Sequence, residues 1–210
     1  MIMPNPDFTP ESETDDGVLV ATELDMQFKI RPINYVSNLI TTGDSINDFN
    51  DKHHMRITIG NLNARLRAVY LYYEGQKRNY LVVGTDDKSE HLIGYFTKFG
   101  DGACDILPIV DLYKHEVREL ASHLGVPDHI VRKDSSPHLW KDHKAGKELG
   151  TSYDNIDNIL KYLVDQGFDT TETSKRAIIP KKTVERIAHY VERSQHKRDL
   201  PYGAKLKDGD

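Results

Sequence analysis

Apolar residues at Ile59, Leu62, Leu66, Val69 and Tyr73 recur at intervals of three and four, which predicts a helix over 59–73 with Gly75 as its stop. The next apolar run has a different period. Tyr80 to Gly84 is apolar throughout and predicts a strand buried on both faces. Shorter strands are expected at Gln27–Ile30, ended by Pro32, and over 105–109, while Met1-Ile2-Met3 is a brief apolar start cut off by Pro4. Thr9-Pro10 reads as N-cap and first helical residue of a helix reaching about Leu24. Further helices are predicted over 112–124 closed by Gly125, 153–166 closed by Gly167, and 180–193 opened by Pro180.

Strands alternating with helices indicate an α/β fold with a mainly parallel sheet, and in such sheets ligands sit beyond the carboxyl ends of the strands. The run after the best strand, GTDDKSE at 84–90, therefore occupies a favoured place for chemistry. One stretch breaks the alternation. Residues 133–152 lack periodicity, hold the only tryptophan, Trp140, and are rich in lysine and histidine. Either a surface excursion or a lid over an anionic ligand fits that composition.

A chain of 210 residues with 38% hydrophobic and 29% charged side chains suits one soluble domain. No apolar stretch is long enough to span a bilayer, and no signal segment opens the sequence. The single cysteine, Cys104, excludes an internal disulfide, so the reducing cytoplasm is the expected compartment. Charge is uneven: residues 1–51 carry ten acidic and two basic side chains, residues 175–207 ten basic and three acidic. Without interleaved aromatics, the basic end suits a phosphate-bearing small molecule or a partner subunit better than nucleic acid.

In GTDDKSE, Gly84 permits a sharp turn, and Thr85, Asp86 or Asp87 can cap the next helix, with Glu90 a turn inside it. A carboxylate there can hold Mg²⁺ bridged to phosphate, although complementing the helix dipole is the commoner use. In YFTKFGDGACD, 95–105, aromatics surround Lys98 and two glycines flank Asp101, a set compatible with a heteroaromatic ligand or with ordinary packing. Arg65 and Arg67, two apart on a helix, point in different directions, so at most one faces a site. Lys114 stands in the first turn of a helix, where a cation opposes the dipole unless solvent or a phosphate holds it. His196-Lys197-Arg198 ends the last helix, where bases favour the dipole. No histidine pair has zinc-ligand spacing, His53-His54 read as surface residues, and Cys104 lacks the electropositive setting of a reactive thiol.

Taken in order, GNLNARLR (60–67), GTDDKSE (84–90), GYFTKFGDGACDILP (94–108), LYKHEVRELASHLGVP (112–127), ELGTSYDNIDNIL (148–160) and SQHKRDLP (194–201) resemble ammonia-dependent NAD synthetase. The likeness runs from Met1 to about Pro201 and marks residues 1–210 as a single domain. It implies an adenine-nucleotide hydrolase-like α/β fold, a homodimer, and amidation of deamido-NAD. ATP adenylylates the nicotinate carboxylate, pyrophosphate leaves, and ammonia displaces AMP. Mg²⁺ and cations offset the phosphate charge, and no enzyme nucleophile is required. By the same resemblance Thr85 and Lys114 match ATP contacts and Glu90 a magnesium ligand. Arg65, Lys98, Asp105 and the His196-Lys197 pair match deamido-NAD contacts, and Asp101 is the choice for positioning ammonia. Lys133 to Trp140 corresponds to a mobile phosphate loop with Ser136 as its hydroxyl.

The departures are informative. SGGxDS, the family's phosphate loop, occurs nowhere in the 210 residues, and Met1–Met3 aligns with the family's second strand. The sheet is therefore expected to lack its first strand and to leave apolar flanks uncovered, with synthetase activity weak or lost. A non-catalytic dimerisation or regulatory subunit is the alternative from another class. Another amidating ATP pyrophosphatase is a third, against which FTKFGDG and HKR argue.

Overall fold

The computed structural model describes residues 1–137, 143–199 and 201–204. Two single parallel bridges stand where strands were expected: Ile2 pairs with Ile30, and Val83 with Ile106. Between the bridges come α1 (Glu11–Glu23), α2 (Asn34–Ile40), a short tight turn and α3 (Lys52–Arg78). After Val83 come α4 (Lys88–Ile93), α5 (Lys114–His123), α6 (Asp128–Val131), α7 (Ala145–Leu149) and α8 (Tyr153–Leu160). A π-turn over Lys161–Asp165 continues α8 and leads to α9 (Thr170–Ala177), α10 (Lys181–Arg193) and α11 (Gln195–Arg198).

The helices at 59–73, 112–124, 153–166 and 180–193 all form, and α1 begins one residue later than its proline signal suggested, with Pro10 itself as N-cap. Gly75 does not stop α3. The helix runs on to Asn79, which turns left-handed at φ 57°, and Lys77 and Arg78 complement the dipole in its last turn. Gly75 serves packing instead: a Cβ there would lie 3.1 Å from the Tyr80 carbonyl oxygen, and Tyr80 N–H returns to the Gly75 carbonyl at 2.8 Å.

The predicted strand at 80–84 is corrected more deeply. Val82 is buried at 5% exposure, but Leu81 and Val83 are 67% and 52% exposed, so the run is covered on one face only. Gly84 N–H donates to Ile106 C=O and Ile106 N–H reaches Val82 C=O. That pairing directs Val83's own N–H and C=O to the opposite edge, where no partner meets them among the described residues. The pairing remains a single bridge here. The expected strand at 27–30 likewise contributes only Ile30.

The core lies among the C-terminal helices. Ile156, Ile159 and Leu160 on α8 meet Val184 and Ile187 on α10, all fully buried, with Ile93 of α4 and Leu149 of α7 against them. Their i, i+3, i+4 spacing puts them on one face of each helix. Each such side chain contributes about 1.5–3 kcal/mol through burial. This packed block forms the wall on which α4 and the turn before it are set.

Candidate functional site

Gly84 ends the bridge strand because its loop neighbour leaves no room for a side chain: a Cβ would fall 2.5 Å from Cys104 Sγ and 2.6 Å from Leu107 Cδ2. Three residues later Asp87 opens α4 with a capping box. Its Oδ1 accepts Glu90 N–H at 2.9 Å, and Glu90 Oε2 faces Asp87 N–H at 3.5 Å. The other end of α4 closes at Gly94, φ 67°, where a Cβ would meet Ser194 Cβ at 2.1 Å. The SQHKR segment grips that end. Lys197 Nζ donates to the Gly94 and Phe96 carbonyls, both at 2.7 Å, and the Arg198 guanidinium reaches His91 O at 3.2 Å and Leu92 O at 2.6 Å. The basic end of the chain thus satisfies the orphan carbonyls of a short helix.

Lys114, at the start of α5, reaches across to α4. Its Nζ lies 2.6 Å from Asp87 Oδ2 and 2.7 Å from Glu90 Oε1, over the Tyr153 ring at 5.0 Å. Two carboxylates therefore offset a cation placed against its own helix dipole. Burial works against the Lys114 ammonium, but Glu90 and Asp87 outweigh it and hold its pKa above the usual lysine value. Glu90 moves up as well, through burial and despite Lys114. Asp157 on α8 fixes the α5 start by accepting His115 N–H at 3.0 Å and the Ser89 hydroxyl, whose oxygen in turn accepts Lys114 N–H at 3.0 Å.

Asp86, beside this cluster, is 5% exposed, and its Oδ2 has no hydrogen-bond partner among the described residues. Burial first, then Asp101, Glu90 and Asp87, push its carboxyl up to about 7. A buried carboxylate oxygen without a donor, beside Glu90, is a hard-oxygen pair of the kind Mg²⁺ accepts when phosphate and water complete its shell. Among the described residues, no group of three or more His, Cys, Asp or Glu converges as a self-sufficient metal site.

A cavity of about 570 Å³ opens between one face of α3, the turn at 82–85 and the loop at 94–103. Of the residues singled out from sequence, Thr85, Asp101 and Lys197 line it. Asp101 Oδ1 accepts Thr97 N–H at 2.9 Å; surrounding protein raises its pKa while Thr97 N–H and Lys197 oppose the rise. Burial lowers the Lys197 pKa, with Asp101 acting the other way.

The remaining candidates lie elsewhere. Glu90 and Lys114 occupy the adjoining polar cluster. Asp105 holds the bridge, its Oδ2 accepting Val82 N–H at 2.7 Å. Lys98 Nζ donates to the His196 carbonyl, and the His196 side chain is exposed. Ser136 donates to the His143 carbonyl. Arg65 is exposed and away from the cavity wall, which Arg67 lines instead.

The described parts of the 133–152 stretch make specific contacts. Lys133 bridges Glu13 and Asp16 at 2.6 Å each, and α7 buries Ala145 and Leu149. Trp140 and His138 lie outside the described residues. Sequence reasoning left Arg67 open beside Arg65 and flagged Tyr95 among the aromatics around Lys98, but it missed Glu148 and Arg193 on the cavity wall. Tyr95 OH donates to Glu148 Oε2 at 2.6 Å, and His143 Nε2 meets the same oxygen at 2.8 Å. The signal for Arg67 was present: it shares a helical face with Ala64, Ala68 and Leu71, while Arg65 does not.

A family model described as NAD synthase matches residues 1–201. The chain belongs to the NAD synthase family. Within it, the chain is 44% identical over 204 residues to the NH(3)-dependent NAD(+) synthetase of Hyperthermus butylicus, covering 96% of this chain and 71% of that one. It is 40% identical to the enzyme of the same name from Archaeoglobus fulgidus, covering 99% and 77%. Among solved structures, an NMN synthetase from Francisella tularensis superposes with TM-score 0.81 at 33% identity, covering 98% of this chain and 77% of that one. The NH3-dependent NAD synthetase of Campylobacter jejuni shares the fold at TM-score 0.73 and 24% identity, with 97% and 76% covered. The overall fold is shared with the Francisella structure, while no extended parallel sheet forms among the described residues. None of the helices among the described residues is long and apolar enough to cross a membrane.

Proposed function

We propose that this chain amidates deamido-NAD to NAD with ammonia and ATP. The nicotinate carboxylate oxygen attacks the α-phosphorus and pyrophosphate departs; ammonia then bonds to the activated carbonyl carbon, AMP leaves, and a proton is released. The observation that carries the reading is the cavity at the carboxyl end of the Val83 strand, lined by Thr85, Asp101 and Lys197, in a member of the NAD synthase family.

In this reading Thr85 and Lys114 contact ATP, and Ser136 contacts phosphate from the far side. Lys114 exchanges Glu90 and Asp87 for phosphate oxygens, which leaves Glu90, with Asp86 beside it, to hold Mg²⁺. The ion, when bound, neutralises phosphate charge. Lys197 and Asp101 face deamido-NAD in the cavity; Asp101 orients ammonia with its carboxylate. Arg65, Lys98, Asp105 and His196 complete the dinucleotide site around the rim. A second copy covers the apolar side of α3, where Val69 and Tyr73 are 66% and 62% exposed, giving a homodimer, and the cytoplasm is the compartment.

A second reading, ligand binding without turnover, is favoured by the absence of SGGxDS from the 210 residues. One assay separates them. The chain is incubated with ATP, Mg²⁺, ammonium and deamido-NAD, and NAD and AMP are quantified by chromatography; the acid mononucleotide is run in parallel because the Francisella neighbour is named for NMN. Equal amounts of NAD and AMP are expected, formed far more slowly than by a relative that carries SGGxDS. Deamido-NAD binding with no AMP formed would select the non-catalytic reading.

A further inference from the structure

Arg67 sits on the inward face of α3 and lines the cavity. Its Nε donates to the Met3 carbonyl at 3.0 Å, which fixes the plane of the guanidinium at the end of the short Ile2–Ile30 pairing. No other hydrogen bond or ion pair of this side chain is formed among the described residues, so its two terminal nitrogens are left for whatever enters the cavity. Burial depresses the Arg67 pKa, with Asp101 as the nearest compensating charge. A partly desolvated guanidinium with one nitrogen anchored and two uncommitted is costly unless an anion completes it. Its fork matches two oxygens of a phosphate, where a lysine would offer a point charge.

The position adds to the chemistry. Met3 and Thr85 mark the carboxyl ends of the two bridged strands, and both line the same cavity as Arg67. That is where a phosphorylated ligand approaches an α/β fold. The volume of about 570 Å³ suits a nucleotide. We infer that Arg67 is a phosphate-binding residue of this cavity, gripping the phosphoanhydride of an entering nucleotide through its two terminal nitrogens. The inference rests on the proposed reaction only for the identity of that nucleotide.

The test measures affinity, not turnover. Calorimetry on the full chain and on Arg67→Ala, Arg67→Lys and Lys182→Ala uses inorganic pyrophosphate, ATP and deamido-NAD as probes, with adenosine as the phosphate-free control. Arg67→Ala is expected to weaken pyrophosphate binding roughly tenfold or more, the scale of a lost charge-assisted pair. Arg67→Lys should lose part of that, with pyrophosphate binding by Lys182→Ala, which removes an exposed cation of α10, and adenosine binding both unchanged. Comparing the ATP and deamido-NAD losses tells which phosphoanhydride Arg67 meets. Unaltered pyrophosphate affinity in a folded Arg67→Ala chain overturns the inference, as does a native chain that binds no phosphate probe, or an equal loss in Lys182→Ala. Should Arg67→Ala fail to fold by circular dichroism, Arg67→Lys decides, and full affinity there is a refutation. Because pyrophosphate affinity is read without NAD formation, failure of the reaction and failure of this site are told apart.

Discussion

Asp86 carries a cost that the rest of the chain must offset. Its carboxyl, raised to about 7, holds a proton in the folded chain that the unfolded chain has already released above pH of about 4. Protons are then bound more tightly by the native state, so stability falls as pH climbs from about 4 to about 7 and the penalty is complete above that. Asp86→Asn should therefore raise the melting temperature at pH 8 in EDTA, with a gain that shrinks at pH 5. Melting curves at the two pH values check this; an equal shift at both would mean that charge is not the cause. Nothing in GTDDKSE distinguishes Asp86 from Asp87, yet one is orphaned and the other caps α4 and meets Lys114. Capping is a local geometry that sequence can suggest. The rise of the Asp86 carboxyl depends on burial and then on the charge of Asp101, a residue supplied by a later loop.

Short helices show the same division between local and distant causes. The capping box of α4 is written in residues 87–90, but its C-terminal carbonyls are satisfied from more than a hundred residues away by Lys197 and Arg198. Arg198→Ala removes bonds to His91, Leu92 and Val191 carbonyls as well as to Ser194 Oγ at 2.7 Å. A loss of about 2–3 kcal/mol is expected in urea unfolding, with lysine restoring only part because it lacks the fork. α3 was legible from apolar spacing, and α8 and α10 from the Gly167 and Pro180 signals at their ends. In α9, where only Thr173 and Ala177 are buried, no apolar period was there to read. The strands misled for a different reason: YLVVG has strand composition, but a ladder is a property of neighbours, and Val83 has one neighbour only.

For the molecule as a whole, the uncovered edge at Leu81 and Val83 is a surface with consequences for handling. An exposed apolar strand with unpaired backbone groups templates association. Leu81→Lys combined with Val83→Lys should reduce self-association in sedimentation velocity at high protein concentration while circular dichroism stays the same; an unchanged distribution would place the sticky surface elsewhere. The ordered motifs disclosed the family and most of the polar cluster, since those residues act close to their own backbone. The cavity wall was less accessible, because Arg67, Tyr95, Glu148 and Arg193 converge from separate parts of the chain.

The π-turn after α8 has a bearing on how these parts tolerate change in length. Asp165, its last residue, accepts from Tyr113 OH at 2.8 Å and pairs with Lys88 at 3.0 Å, so α8 is tied through it to both α5 and α4. A π-turn holds one residue more than an α-turn, and dropping that residue would wind everything after it back by about 100°. Asp165 would leave Tyr113 and Lys88, and the segment leading into α9 would take a new heading. The wide turn thus acts as a phase setting between the two ends of the C-terminal block, and residues 161–165 should accept substitutions far more readily than a deletion.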